Sequence, residues 1–230
     1  MNEAWRTAII ADDLTGACDT GVQFASPGSP STVLLVGDAG GPAADALTSI
    51  LASDGRVIVD TESRHLTAEQ AYDRVRTIAE YLGDCPVDLV YKKIDSTLRG
   101  NVRSEIVALQ DAFPDRIAVI APAYPAADRT VVDGRCLVKG RPVDETEFGR
   151  DRRSPVTSAR LADYVRAGAQ VIATRADALA GALREAERSD VVIVDASTDG
   201  ELDVIAALIA ADPVRYVPVG SAGLAGALQR

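Results

Sequence analysis

This sequence has few aromatic residues, a single histidine and no long apolar run. Aromatics make up 4% of its 230 residues, so the core has to be built from Val, Ile, Leu and Ala. The lone His65 excludes a site built from several histidines, and a partly exposed loop position suits it. No apolar stretch approaches the ~20 residues of a membrane-spanning helix. Because Arg6, Asp12 and Asp13 interrupt the only early apolar run, we expect no signal peptide and no membrane partner.

The sequence also lacks paired cysteines and basic clusters. Cys18, Cys85 and Cys136 lie far apart without a CxxC pair, which is typical of small buried residues and free thiols in a cytoplasmic protein. The net charge is −10, and Lys and Arg never occur in runs longer than two. Such a chain repels phosphate backbones, so we expect no nucleic acid partner. A small anion can still bind where a few cations are aimed at it.

The familiar nucleotide-phosphate loops are missing too. There is no GxxxxGKS or GxxxxGKT, and no GxGxxG follows a strand. GxSxG, HExxH and EF-hand loops are also absent, and we expect no metal site. The nearest phosphate-like turn is the weak glycine pattern from Gly220 to Gly226, after the last predicted strand.

What the sequence does have is a regular succession of short apolar runs separated by helical patterns. The runs are rich in Val and Ile and end in small or polar residues. They predict strands at Thr7–Ala11, Thr32–Val36, Val57–Asp60, Leu89–Ile94, Ile117–Ala121, Val171–Thr174, Val191–Asp195 and Arg215–Val219. Alternation of strands and helices predicts an α/β fold with a mostly parallel sheet flanked by helices, a three-layer α/β/α arrangement.

Four helical patterns between the strands have clear boundaries. Thr67 and Gln70 fit a capping box. The apolar stripe of the helix that follows consists of Ala71, Val75, Ile78, Ala79 and Leu82. Asn101 is the expected cap of a second helix, whose apolar stripe is Val102, Ile106, Leu109 and Phe113. The other two helices are expected at roughly Ala176–Glu187 and Leu202–Ala210.

One stretch, from Pro122 to Arg160, breaks the alternation. Several prolines and glycines interrupt it, and Cys136–Val138 and Pro142–Val143 could form a small hairpin. Its mixed composition is not that of a disordered linker. We therefore expect residues 1–230 to form a single domain with a small irregular excursion.

Polar clusters follow four of the predicted strands. They are Asp12-Asp13, Thr61–Arg64, Asp95–Asn101 and Pro122–Pro125. Since the carboxyl ends of parallel strands share one edge of a sheet, where ligands bind, we expect these clusters to meet in one crevice.

Two of these clusters carry the residues with the most chemistry. Asp12 and Asp13 can accept a hydroxyl proton and anchor a substrate; alternatively one caps the next helix and the other is solvated. Lys92 and Lys93 must face opposite sides of the sheet, so one of them should pair with Asp95, Asp12 or Asp13. Arg99 precedes Gly100, where backbone N–H groups can approach an anion, and its guanidinium suits a carboxylate. The alternative for Arg99 is a surface position beside a capped helix.

Together these segments resemble the amino-terminal domain of the four-carbon acid sugar kinase family. The resemblance is carried, in order, by Ala11–Ala17, Asp60–Arg64, Lys92–Asn101, Ala121–Pro125 and Gly220–Leu224. It covers nearly the whole chain, and the segment from Lys92 to Asn101 is its most specific part. The sequence departs from the family at Asp128, where the family usually has a glycine before Arg129-Thr130.

The resemblance implies an ATP-dependent kinase for threonate, erythronate or oxo-tetronate, of which this chain is the sugar-acid-binding half. ATP and Mg²⁺ would bind a second domain that is absent from this chain and is supplied in cis or in trans. A homo-oligomer is compatible with the family. By this resemblance Asp12 and Asp13 are the catalytic candidates, and the substrate contacts are Arg64, Lys93, Asp95, Ser96, Arg99, Gly100 and Asn101.

Two other classes of function stay open. The chain could bind a sugar acid as a stand-alone module without catalysis. It could also be a dehydrogenase, although the missing dinucleotide fingerprint argues against that reading.

Overall fold

A computed structural model describes residues 5–25, 30–36, 44–53 and 55–230. The described strands form one large parallel sheet and one small antiparallel sheet. In chain order the strands are β1 (Thr7–Ala11), β2 (Thr32–Leu35), β3 (Arg56–Asp60), β4 (Leu89–Lys93), β5 (Ile117–Ala121), β6 (Arg129–Val132), β7 (Arg135–Val138), β8 (Arg141–Pro142), β9 (Val171–Arg175), β10 (Val191–Asp195) and β11 (Tyr216–Gly220). All eight predicted strands are present, with ends that differ by at most one residue.

The large sheet has the strand order β2-β3-β1-β4-β11-β5-β10-β9. Its strands pair in parallel, and Ala11 at the end of β1 lies beside both Asp60 of β3 and Lys93 of β4. The segments that follow these three strands therefore start next to one another. This register places Asp12, the Thr61–Arg64 segment and Asp95 at one edge of the sheet.

Helices cover both faces of this sheet. They are α1 (Leu14–Phe24), α2 (Ala44–Ser53), α3 (Ala68–Gly83), α4 (Val102–Ala112), α5 (Leu179–Glu185), α6 (Asp199–Ala210) and α7 (Ala222–Ala227). The predicted helix at Ala176–Glu187 is a 3₁₀ turn followed by α5, while α2 and α7 were not predicted. No described helix is long and apolar enough to cross a bilayer.

Alternate residues of β1 show the two hydrophobic layers. Ile9 belongs to the core cluster that contains Phe24 of α1, whereas Ile10 belongs to the cluster that contains Val75 and Leu82 of α3. On one face α1 packs against α7, and on the other α3 packs against α4. The three-layer α/β/α prediction is thus confirmed. Since α1 and α4 leave neighbouring strands toward opposite faces, a crevice forms between them at the carboxyl edge.

The predicted side-chain cap is present at the start of α3 but not at the start of α4. At α3, Thr67 Oγ1 accepts from Gln70 N and Gln70 Oε1 accepts from Thr67 N, both at 3.2 Å, as the capping-box pattern predicts. At α4 the predicted capping hydrogen bond to the Asn101 side chain is absent. Asn101 occupies the N-cap position but makes no capping hydrogen bond, because its amide is engaged elsewhere.

The excursion after β5 contains the predicted hairpin. β7 and β8 pair antiparallel across the turn at Lys139 and Gly140, and β6, which was not predicted, pairs with β7. Val131 N donates to Ala196 O at 2.8 Å, so this small sheet is joined to the end of β10. It therefore stands over the same edge of the large sheet as the polar clusters.

Candidate active site

A cavity of about 200 Å³ opens at the carboxyl edge of the large sheet. Predicted site residues line one part of it: Asp13, Arg64, Lys93, Asp95, Ser96 and Arg99. The other walls come from Thr15, Gly16, Asp19, Tyr124, Ser221 and Ala222. We call this space the carboxyl-edge cavity. The convergence expected from strand order is therefore observed.

Asp12 and Asp13 together hold one guanidinium group. Arg64 Nε donates to Asp12 Oδ2 at 2.7 Å, and Nη1 and Nη2 donate to Asp13 at 2.6 and 2.9 Å. The shared cation offsets the repulsion between adjacent carboxylates. Burial alone would lower the pKa of Arg64, but the charge and hydrogen bond of Asp12 outweigh burial and raise it.

The two aspartates differ in exposure. Asp13 caps α1, with Oδ1 accepting from Gly16 N at 2.9 Å, and it lines the cavity. Asp12 is 2% exposed and lies behind the cavity wall. The alternative interpretation is that one aspartate caps α1 and the other is solvated. It is correct for Asp13, which is the cap, and wrong for Asp12, which is buried.

Lys93 is the buried cation without a partner. Its side chain is 5% exposed and lines the cavity, and no described residue forms a hydrogen bond or ion pair with Nζ. Gly16 makes room for it, since a Cβ there would lie 2.7 Å from Nζ. Burial lowers the pKa of Lys93, and the nearby charges of Asp12 and Asp95 offset only part of that effect. When Lys93 is protonated, an entering anion would meet an ammonium group that no described residue pairs.

Lys92 points to the opposite face of the sheet, as predicted, but its partner was not foreseen. Nζ lies 2.8 Å from Glu105 Oε2, with 0% and 1% of the two side chains exposed. The expectation that Asp95, Asp12 or Asp13 would pair with one of the two lysines is therefore wrong, since Lys92 pairs with Glu105 and Lys93 has no ion-pair partner among the described residues. Glu105 could have been found, because it falls three residues after Val102 within the apolar stripe of α4.

The Lys92–Glu105 pair also supports the loop that carries Arg64. Glu105 Oε1 accepts from Ser63 Oγ at 2.6 Å, and Ser63 Oγ also lies 2.7 Å from Thr61 Oγ1. Lys92 Nζ donates in addition to the carbonyl of Lys93 at 2.8 Å. This buried network joins β4, α4 and the Arg64 loop.

Arg99 forms an ion pair with Asp95, four residues before it in the sequence. Its Nε donates to Asp95 Oδ2 at 2.7 Å and its Nη2 to Oδ1 at 3.3 Å, while the Thr97 hydroxyl donates to the same carboxylate. Burial raises the pKa of Asp95, but these hydrogen bonds outweigh it and hold the pKa below its ordinary value. The guanidinium also lies 5.3 Å from the ring centroid of Phe148. Because Asp95 balances its charge, Arg99 attracts an anion less than Lys93 does.

Gly100 and Asn101 do not line the cavity. Gly100 has φ +96°, and a Cβ there would lie 3.1 Å from Arg64 Cγ. Asn101 Nδ2 donates to the carbonyls of Ser63 and Leu66, both at 2.9 Å. Both residues thus contact the loop that carries Arg64 without lining the cavity. Direct contact with a substrate stays a prediction for both.

The glycine-rich turn after β11 is explained by packing. A Cβ on Gly223 would lie 2.4 Å from the carbonyl oxygen of Ala123. Ser221 Oγ donates to that same oxygen at 3.0 Å, and Tyr91 OH donates to Ser221 O at 2.6 Å. Through Ser221 and Ala222 the turn still forms part of the cavity floor.

Asp128 keeps the backbone conformation that a glycine would adopt. It has φ +55°, the left-handed region, and its side chain is exposed. We expect Asp128→Ala to lower the free energy of unfolding by about 1 kcal/mol, because a Cβ without a local polar group disfavours this region. Asp128→Gly should change it less. Urea unfolding of both variants checks the order, and equal values would contradict it.

Asp19 is a cavity residue that the sequence reasoning missed. Helical spacing could have found it, since it lies one turn after Thr15 on the same face of α1. His65 is exposed as expected, with Nδ1 3.1 Å from Ser154 Oγ.

A larger cavity of about 840 Å³ lies at the amino edge of the sheet, near the starts of β5 and β11. Its charged lining is mixed, and Arg188 pairs with Asp115 at 2.9 Å. None of the predicted site residues lies there. Volume alone does not make it the better candidate, because ligands of open parallel sheets bind at the carboxyl edge.

Within the described ranges, no group of three or more His, Cys, Asp or Glu side chains is arranged to hold a metal ion. Two of the carboxylates that line the carboxyl-edge cavity, Asp13 and Asp95, are already engaged by Arg64 and Arg99.

Comparison with known proteins agrees with this geometry. Residues 7–228 match the family of sugar-binding N-terminal domains. The chain belongs to this family. This match covers the strands, the excursion and every residue that lines the cavity. It confirms the resemblance on which the substrate-binding expectation was based.

Curated relatives of this sugar-binding domain are carbohydrate kinases. D-threonate kinase from Salmonella typhimurium is 38% identical over 96% of this chain and 52% of the relative. D-erythronate kinase from Heliobacterium modesticaldum is 37% identical over 86% of this chain and 46% of the relative. The chain thus spans about half the length of the relatives it matches.

Solved structures share the fold. A domain of unknown function from Bordetella bronchiseptica superimposes with a TM-score of 0.85 at 36% identity, covering 97% of this chain and 55% of that one. That protein is a domain-swapped dimer with bound citrate. A Haemophilus influenzae protein at 22% identity has a TM-score of 0.75 and supports the fold alone.

Proposed function

We propose that this chain is the sugar-acid-binding domain of an ATP-dependent kinase that phosphorylates the terminal hydroxyl of a four-carbon sugar acid. Threonate, erythronate and oxo-tetronate are the candidate substrates, because curated relatives are named for kinases of these acids. In this proposal residues 1–230 act as one domain, since the small sheet and the large sheet contribute to the same edge.

The unpaired Lys93 ammonium is the observation that carries the proposal. It is a buried cation that lines a cavity of about 200 Å³ and has no partner among the described residues. Burying an unpaired charge is costly unless a ligand completes the site. The volume is below the ~300–1,000 Å³ of drug-sized ligand sites, which favours a small anion. We assign Lys93 to the substrate carboxylate.

The other predicted residues have supporting parts in this proposal. Arg64 and Arg99 line the same cavity as Lys93 and add positive potential there, although each is already paired with aspartate. Ser96 and Asp95 line the wall where substrate hydroxyls would lie. Asp12 and Asp13, the catalytic candidates of the sequence, fix the orientation of Arg64, and Asp13 can also contact the substrate.

ATP and Mg²⁺ belong to a second domain in this proposal, in cis or in trans. The described residues offer neither a metal cluster nor a nucleotide-phosphate loop, and the relatives are about twice as long as this chain. We place the protein in the cytoplasm. The domain-swapped dimer of the Bordetella relative supports a homo-oligomer.

Calorimetric titration with four-carbon acids tests the proposal. We expect one of D-threonate, D-erythronate and 3-oxo-tetronate to bind saturably, and MgATP to leave its affinity unchanged because the nucleotide site lies on another domain. Threitol, which has the hydroxyls but no carboxylate, is the matched control and should not bind. Binding of threitol as tightly as threonate would contradict the Lys93 assignment.

A chimera separates the kinase from the stand-alone binding module. In it this chain replaces the first half of D-threonate kinase from Salmonella typhimurium, and ADP release is measured with each acid. Acid-dependent ADP release supports the kinase. Tight acid binding without ADP release would favour the module.

A further inference from the structure

The carboxyl-edge cavity is polarised from floor to mouth. Lys93 and Ser221 are 5% and 1% exposed at the floor, whereas Thr15 and Asp19 of α1 are exposed at the mouth. If the sugar acid binds as proposed above, its carboxylate lies at the buried Lys93 and its far end points toward the exposed side chains of Thr15 and Asp19 at the mouth. The following inference rests on that proposed function.

Two of the three carboxylates that line the cavity are already neutralised. Asp13 accepts two hydrogen bonds from Arg64 and a third from Gly16 N. Asp95 accepts hydrogen bonds from Arg99 and from the Thr97 hydroxyl, which keep its pKa below the ordinary value. A carboxylate whose lone pairs are occupied by cationic donors is a poor proton acceptor.

Asp19 is the carboxylate that remains. Within the described ranges no side chain or backbone group forms an ion pair or hydrogen bond with it, although it lines the cavity. We propose that Asp19 accepts a hydrogen bond from the terminal hydroxyl of the bound sugar acid and is the group that takes its proton.

The proton balance of the step is simple. The hydroxyl oxygen forms a bond to the γ-phosphorus of a nucleoside triphosphate, the bond from that phosphorus to the β–γ bridging oxygen breaks, and the hydroxyl proton goes to Asp19. A nucleoside diphosphate leaves. The exposed position of Asp19 fits this role, because the second reactant has to reach the hydroxyl from outside the cavity.

This assignment differs from the candidates that the sequence offers. Asp12 lies behind the wall and is tied to Arg64, and Asp13 is tied to Arg64 and to the first turn of α1. Asp13 would have to give up a charged hydrogen bond to receive a proton. Asp12 has a free oxygen, Oδ1, but this atom is buried and Asp12 does not line the cavity. Asp19 is exposed and has no hydrogen bond to give up among the described residues.

Paired ligands test the contact without requiring the second domain. D-threonate or D-erythronate, whichever binds the chain, is compared by calorimetry with 2,3-dihydroxybutanoate of the same configuration, which lacks the terminal hydroxyl. We expect the native chain to prefer the hydroxyl acid by roughly ten- to a hundredfold, as a hydrogen bond to a charged group should. In Asp19→Ala the preference should fall below about threefold.

The quantity to compare is the ratio of the affinities for the two acids. The affinity for one acid alone is not informative, because removing Asp19 also removes a charge that repels either acid. Asp73→Ala, which removes an exposed carboxylate from α3, should leave the preference unchanged. An unchanged preference in Asp19→Ala would overturn the assignment while leaving the proposed function standing. No binding of any four-carbon acid by the native chain would overturn both.

Discussion

Replacing Glu105 by Gln is expected to lower the free energy of unfolding by about 3–5 kcal/mol. The pair that it forms with Lys92 is buried, with 1% and 0% of the side chains exposed, and the two atoms are 2.8 Å apart. Gln keeps the shape and can still accept from Ser63, but it leaves the Lys92 ammonium without a counter-charge. Urea denaturation measures the loss. It is a large share of the ~5–15 kcal/mol that stabilises a typical domain.

Two further variants make the Glu105 result specific. Glu147→Gln removes the same charge from an exposed side chain and should leave stability within about 0.5 kcal/mol. Lys92→Met combined with Glu105→Leu replaces both charges with apolar groups and should recover most of the loss. A double variant as unstable as Glu105→Gln would mean that packing around α4, and not the ion pair, sets the cost.

The apolar double variant, in contrast, should weaken binding at the carboxyl-edge cavity, because a leucine at position 105 cannot accept from Ser63. Glu105 accepts from Ser63, and Ser63 is followed by Arg64, which Asp12 and Asp13 orient. Loss of the network therefore loosens one wall of the cavity without touching the ligand. This link would give the buried charge pair between α4 and β4 a role in ligand binding besides its role in stability.

Strand positions could be predicted because burial on both faces leaves continuous Val- and Ile-rich runs such as Val191–Asp195. The shared edge followed from topology alone, so Asp13, Arg64, Lys93 and Asp95 could be placed together without coordinates. β6 escaped prediction because it is a short strand outside the large sheet, and its four residues pair with β7, Tyr124 and Ala196.

Pairing between charged side chains could not be predicted, because it depends on distances across the sheet. Four cations and several carboxylates stand near one another in the sequence segments. Only the structure shows that Arg64 and Arg99 are neutralised while Lys93 is not. The sequence therefore predicted the position of the candidate site and named Arg99, helped by Arg64 or Lys93, as the carboxylate clamp, whereas the observed ion pairs favour Lys93 for that role.

Lys93→Met is expected to weaken binding of a four-carbon acid by about 2–5 kcal/mol, which is roughly thirtyfold or more. The variant removes the one cation in the cavity that has no partner among the described residues, and Met fills a similar volume. Calorimetry with the acid that the native chain binds measures the loss. Lys139→Met, at an exposed turn, removes the same charge and should bind normally.

The same variant should not destabilise the fold, and we expect a gain of up to about 2 kcal/mol. Burial lowers the pKa of Lys93 below its ordinary 10.5, which means that the charged form is less stable in the folded than in the unfolded chain. Between the folded-state pKa and 10.5 the unfolded chain binds more protons, so this group makes the native protein more stable as pH rises. Lys93→Met should remove that rise.

Over the same range of pH the native chain should lose affinity for the acid, because the neutral amine no longer attracts a carboxylate. Opposite effects on binding and stability are expected of a charge kept for a ligand, whereas a structural lysine would lose stability when replaced. A Lys93→Met variant that unfolds more easily and still binds the acid would show that the cavity takes its ligand by other groups.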